Sequence, residues 1–189
     1  YKITSACEVA KENKNISYAK GFGIEQSEPD MALIEEAVEA AKTAELAVVF
    51  AGLPDSYESE GFDRKHLDLP ECQNLLIEKV AEVQPNVVVV LHNGSAVTMP
   101  WIEKVKAVLE LYLGGEAVGA ATVKLLYGEA NPSGKLPETF PMRLEDTPSY
   151  LNFPGENREV YYGEGVFVGY RYYEAKKLPV LFPFGHGLS

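Results

Sequence analysis

The segment Tyr57-Glu58-Ser59-Glu60-Gly61-Phe62-Asp63-Arg64 places three carboxylates within six positions, shortly after an apolar run that ends near Gly52. Carboxylates crowded this closely repel one another, and where water is partly withdrawn one of them is favoured to keep its proton, as a general acid must. Gly61 permits a backbone conformation that aims a neighbouring side chain, while Arg64 can neutralise Asp63 and hold the loop. An acidic loop that is merely solvated has the same composition, so the segment alone leaves both readings open.

Other groups of reactive residues fail on spacing. Gly114-Gly115-Glu116-Ala117-Val118-Gly119 stands where a strand hands over to a helix, but Glu116 replaces the glycine that lets a backbone approach a pyrophosphate. A tight turn and helix start is the simpler expectation. The stretch from Gly128 to Lys135 is one residue too long for a phosphate-binding loop, contains Pro132 and has Leu136 where a hydroxyl is needed. His66, His92 and His186 have no metal-ligand spacing, and Cys7 and Cys72 form neither a disulfide framework nor a metal pattern. Both cysteines are expected to be buried thiols. Asn15-Ile16-Ser17 and Asn93-Gly94-Ser95 are formal glycosylation sequons, meaningful only in a secreted protein.

The elements that must position the acidic segment follow from periodicity. Met31, Leu33, Ile34, Ala37, Val38 and Ala41 recur at helical spacing after Asp30, a natural cap, and lead into Leu46-Ala47-Val48-Val49-Phe50-Ala51-Gly52. An apolar run without alternation is expected of a parallel strand covered on both sides. A second helix follows Pro70, with Leu75, Leu76, Val80 and Val83 as its stripe, and feeds a second buried strand at Val87 to Leu91. Ala107 to Leu113 is a third strand, followed by a helix from about Glu116 to Tyr127. Ile16-Ser17-Tyr18-Ala19 reads as a further strand, preceded by a short helix through Cys7 and Ala10. Alternating helices and strand-sized apolar runs predict an α/β fold, a three-layer αβα sandwich with a mostly parallel sheet. In such folds ligands collect outside the carboxyl ends of the strands, where the acidic segment lies.

After about residue 129 the prolines at 132, 137, 141, 148 and 154 predict mostly loop, wrapped over the surface, with extended segments and turns from Tyr161 to Tyr173. The aromatic residues there are expected to pack against the sheet or a neighbouring domain rather than to stack on sugars. Trp101 is expected in the interior or at an interface. With 189 residues, 46% apolar and 24% charged, the whole is expected to be a single globular domain. A net charge of −11 argues against nucleic acid, and no apolar run approaches the roughly 18 residues of a membrane helix, which argues against a membrane. The composition fits a soluble protein, cytoplasmic or secreted.

The order of residues adds a resemblance. Glu60-Gly61-Phe62-Asp63-Arg64, then Leu67-Asp68-Leu69-Pro70 and Gln73, is similar to the second domain of family 3 glycoside hydrolases, the β-glucosidase and β-xylosidase group. Asn93-Gly94-Ser95, Met99-Pro100-Trp101, Gly114-Gly115-Glu116, Asn131 to Pro137, Tyr162 to Arg171 and Phe182 to Ser189 continue it in the family's order along nearly the whole chain. The resemblance implies retaining hydrolysis of terminal β-linked sugars in an oligosaccharide or glycoside, without metal or organic cofactor. It implies Glu60 as the general acid/base, with Glu58 as the competing assignment, and Asp63 and Arg64 as supports of the loop. The aspartate nucleophile of the family belongs to a (β/α)8 barrel domain of the same protein, and no part of one is visible in this sequence. With no initiator Met, the chain is therefore expected to be a fragment of a larger enzyme, inactive alone. Two other classes remain in view: a noncatalytic carbohydrate-binding or interdomain scaffold, and a flavodoxin-like nucleotide-binding domain, against which the broken glycine fingerprint and the negative charge both count.

Overall fold

The computed structural model describes residues 3–11, 13 and 15–189. Their contacts cluster into two compact units, one formed by Tyr1–Arg64, Asp68–Gly94 and Met99–Asn131, the other by Lys65–Leu67, Ser95–Thr98 and Pro132–Ser189.

The first unit carries helices α1 (Ala6–Ala10), α2 (Met31–Thr43), α3 (Glu71–Val83) and α4 (Val118–Leu126), and strands β1 (Ala47–Gly52), β2 (Val87–His92) and β3 (Ala107–Glu110). The strands form a parallel sheet in the order β1-β2-β3, with Ala47 opposite Val87, Gly52 opposite His92 and Leu91 opposite Glu110. On β2, Val89 and Val90 are both 0% exposed. Successive side chains on a strand point to opposite faces, so the middle strand is covered on both. That is the αβα sandwich read from the sequence.

Caps fix where the helices begin. The Asp30 carboxylate accepts the backbone N–H groups of Ala32 and Leu33 at the start of α2, and Ser5 and Glu8 form a reciprocal capping box on α1. The helices pack in two pairs, α2 with α3 and α1 with α4, and α3 lies against β1 and β2. Buried polar side chains join the pieces. Gln84 donates its amide to the carbonyls of Ala41 and Ala44, Gln73 accepts the Gly52 N–H, and the buried Trp101 donates its indole N–H to Asn74 at 2.8 Å.

Three expectations fail in this unit. Ile16 to Ala19 is not a strand: Ile16 and Tyr18 are exposed, and Asn13 binds the N–H groups of Asn15 and Ile16 in a local turn that competes with extended pairing. β1 is well covered on one face only, with Val49 and Ala51 buried and Phe50 between them exposed, so the double cover read from its apolar run is found on β2 instead. Cys7 is exposed on its short helix, whereas Cys72 is buried on α3 with its thiol directed to the Gln26 carbonyl. Burial pushes the Cys72 thiol up from its ordinary pKa.

The second unit holds an antiparallel pair, β4 (Phe140–Pro141) with β5 (Val180–Phe182), and a helix α5 (Tyr170–Lys176). The helix corrects the expectation of extended segments through Tyr173. Its two turns are too short for a readable stripe, and it is held by the buried face of Tyr173, whose hydroxyl is pushed up to about 12, by burial first and the charges of Asp146, Tyr172 and Glu138 after it. The buried Phe140 meets Phe182 edge to face. The rest, including the proline-rich stretch, is mainly turns and loops, as expected.

Candidate active-site turn at the carboxyl ends of the strands

All three parallel strands end on the same side of their sheet, at Gly52, His92 and Glu110. The chain leaving β1 first turns tightly, the N–H groups of Tyr57 and Glu58 both reaching the Pro54 carbonyl. It then reverses at Ser59-Glu60-Gly61-Phe62, where Ser59 and Phe62 pair in an antiparallel bridge. Glu60 and Gly61 are the two central residues. Gly61 has φ +97, the left-handed value that a type II turn requires at its third position, and an added Cβ there would meet nothing within 4 Å. Backbone conformation rather than lack of space selects the glycine.

The acidic residues of this segment have distinct surroundings. Glu58 is half-buried, and its Oε1 accepts the backbone N–H of Gly94, just beyond β2, at 2.5 Å. Glu60 and Asp63 are exposed, and Arg64 is half-buried. A side chain at the tip of a two-residue turn, open to solvent, is placed to reach a ligand brought from outside. One that grips a backbone N–H is placed to hold the turn.

The ends of β2 and β3 are braced through Glu110, a residue that the sequence does not single out. Asn93, 0% exposed, donates its amide to Glu110 Oε2, and Glu110 Oε1 accepts the Tyr112 N–H at 2.8 Å, supporting a turn in which Tyr112 has φ +49. Asn93 stands in the sequence as a sequon and within the family motif Asn93-Gly94-Ser95, and its burial removes it as a glycosylation acceptor in the folded protein. Burial also lowers the pKa of His92 from the ordinary imidazole value, opposed by a contact with the Tyr112 backbone. Among the described residues no group of three His, Cys, Asp or Glu side chains could hold a metal ion, and no helix is long and apolar enough to cross a membrane.

In the second unit, Leu151, Tyr161, Tyr162, Val166 and Phe167 are all at least half exposed. Of the aromatic residues between 161 and 173, Tyr170 stacks on Phe184 and Tyr173 is buried, whereas Tyr161, Tyr162 and Phe167 stay largely exposed in the unit.

The parallel α/β sandwich agrees with what comparison with known families returns. Residues 4–170 match the glycosyl hydrolase family 3 C-terminal domain, and the chain belongs to that family. Among its relatives, it is 63% identical over 175 residues to thermostable beta-glucosidase B of Acetivibrio thermocellus, covering 93% of this chain and 23% of that protein. It is 47% identical to the exo-alpha-(1->6)-L-arabinopyranosidase of Bifidobacterium longum, covering 100% of this chain and 25% of that protein. The crystal structure of the GH3 beta-glucosidase of Bifidobacterium adolescentis superposes with a TM-score of 0.94 at 46% identity, over 99% of this chain and 28% of that one. The chain therefore spans about a quarter of the length of these relatives.

Proposed function

We propose that this chain is the second domain of a retaining β-glycosidase of the β-glucosidase type, and that Glu60 is its general acid/base. The observation that carries the reading is the turn: Glu60 stands exposed beside a glycine with φ +97, at the carboxyl end of β1, in a chain whose family includes beta-glucosidases. Residues 1–189 act as one αβα domain, and the barrel with the aspartate nucleophile lies elsewhere in a longer polypeptide. The chain alone is inactive, because retaining hydrolysis needs two carboxyl groups roughly 5 Å apart.

The chemistry runs in two steps. The nucleophile's carboxylate bonds to the anomeric carbon while the glycosidic C–O bond breaks, and Glu60 gives its proton to the departing oxygen. Glu60, now a carboxylate, takes a proton from water as the water oxygen attacks the anomeric carbon and expels the nucleophile. Both steps are balanced without an external oxidant or cofactor. Substrates are glycosides with a terminal β-linked sugar. Asp63 and Arg64 support the loop.

In the intact enzyme, Glu60→Ala is expected to slow glycosides with poor leaving groups far more than activated aryl glycosides, and added azide should restore part of the turnover. If Glu58→Ala gives that pattern and Glu60→Ala does not, the assignment moves to Glu58. A noncatalytic scaffold is the second reading, favoured by the apolar side chains exposed at Tyr161, Tyr162, Val166 and Phe167. Normal hydrolysis by both Glu60→Ala and Glu58→Ala, with loss of activity only on disrupting those apolar residues, would establish it.

A further inference from the structure

We propose that Glu58 is a positioning residue, which holds the turn carrying Glu60 against the end of β2 and works as a hydrogen-bond acceptor rather than as a proton donor. The inference rests on the reading of Glu60 as the acid/base and adds a residue to that site.

The tie is short and direct: Glu58 Oε1 accepts the Gly94 N–H at 2.5 Å. A carboxylate accepting a backbone N–H makes one of the stronger hydrogen bonds available to a loop. Gly94 is shaped to receive it. A Cβ built there would lie 3.1 Å from both carboxylate oxygens, so the carboxylate occupies the space that a side chain at 94 would take. Glu58 itself starts from a fixed point, because its own N–H and that of Tyr57 bind the Pro54 carbonyl, and the Tyr57 hydroxyl bonds Ser27 Oγ at 2.8 Å.

Glu60 lies two residues further on, inside the turn closed by Ser59 and Phe62. An exposed turn is mobile unless something anchors it. A misplacement of about 1 Å in a catalytic group can cost roughly a hundredfold in rate. The Glu58 to Gly94 tie joins the turn to the middle strand of the sheet, whose Val87, Val89, Val90 and Leu91 are 0% exposed, through the loop that β2 enters.

An acceptor can be replaced by an amide oxygen, and an acid/base cannot. The experiment is made in the intact enzyme with Glu58→Gln, Glu58→Ala, Gly94→Ala and Glu60→Gln, each checked for an unchanged melting transition. Glu58→Gln is expected to keep kcat/KM within about fivefold, because its amide oxygen still accepts the Gly94 N–H. Glu58→Ala and Gly94→Ala are each expected to lower kcat by about a hundredfold with little change in KM, on the scale of a misplaced group. The double variant should be no worse than either single one, since both remove one interaction. Azide should rescue neither, because Glu60 is still present. Loss of activity in Glu58→Gln equal to that in Glu58→Ala overturns the proposal, as does a fully active Glu58→Ala. If Glu58→Ala does not fold, the comparison of Glu58→Gln with Gly94→Ala decides in its place. An active Glu60→Gln instead overturns the acid/base reading, whatever the Glu58 variants do.

Discussion

His92 ends the middle strand with its imidazole held neutral by burial, which lowers its pKa below the ordinary 6.5, while its contact with the Tyr112 backbone opposes the shift. A depressed folded value means that the unfolded chain takes up the proton first. The group's contribution to stability is therefore complete above the unfolded value near 6.5 and is lost as the pH falls through the lower folded one. Urea midpoints measured at about pH 7.5 and about pH 5 should fall with acid in the native protein, and by less in His92→Gln. Equal falls in the two proteins would remove His92 as the cause. The same scale separates the two glutamates of the turn. They are neighbours but one in sequence, yet one binds a backbone N–H and the other faces solvent.

Gln84, at the end of α3, shows how one side chain can fasten two elements. Its amide reaches the carbonyls of Ala41 and Ala44 at the end of α2, while its own oxygen accepts the Asn86 N–H before β2. Gln84→Ala is expected to cost about 1–3 kcal/mol, because it takes the amide from the buried Ala41 carbonyl, which keeps the Ala44 N–H, and from the half-buried Ala44 carbonyl, and removes the oxygen that accepts the Asn86 N–H. Chemical denaturation checks it, and a cost below about 0.5 kcal/mol would show that water replaces the amide. None of this was readable in advance, whereas the elements themselves were. Helical stripes after Asp30 and Pro70 and the runs at Val48 and Val88 gave α2, α3, β1 and β2, since burying apolar surface at period 3.6 or in a covered strand leaves a local pattern. The acidic turn was legible for the same reason, as a local cluster with its own glycine. Ile16 to Ala19 misled because an apolar dipeptide pattern does not say whether a partner strand exists. The partners of Glu58 and Asn93 stayed hidden because Gly94 and Glu110 lie far along the chain, and only the folded sheet brings them together.

At the scale of the whole molecule, apolar side chains of the second unit stand exposed. The apolar side chains left outside the second unit are the feature that a chain a quarter the length of its relatives would be expected to carry if the remaining polypeptide covers them. Tyr162 is 80% exposed. Tyr162→Ser should change the stability of this chain by no more than about 0.5 kcal/mol, as for an ordinary surface position, and destabilise the longer protein by more than about 1 kcal/mol. Thermal melts of both forms test this, and equal small effects would mean that the position stays exposed in the longer protein as well. The indole of Trp101 has a use beyond packing. It is the one tryptophan of the sequence, fully buried in the first unit and hydrogen-bonded to Asn74, so its emission is an optical signal belonging to that unit alone. Followed against backbone circular dichroism, which sums over both units, that signal makes cooperativity measurable: coincident transitions mark a single folding unit, and separated ones mark two.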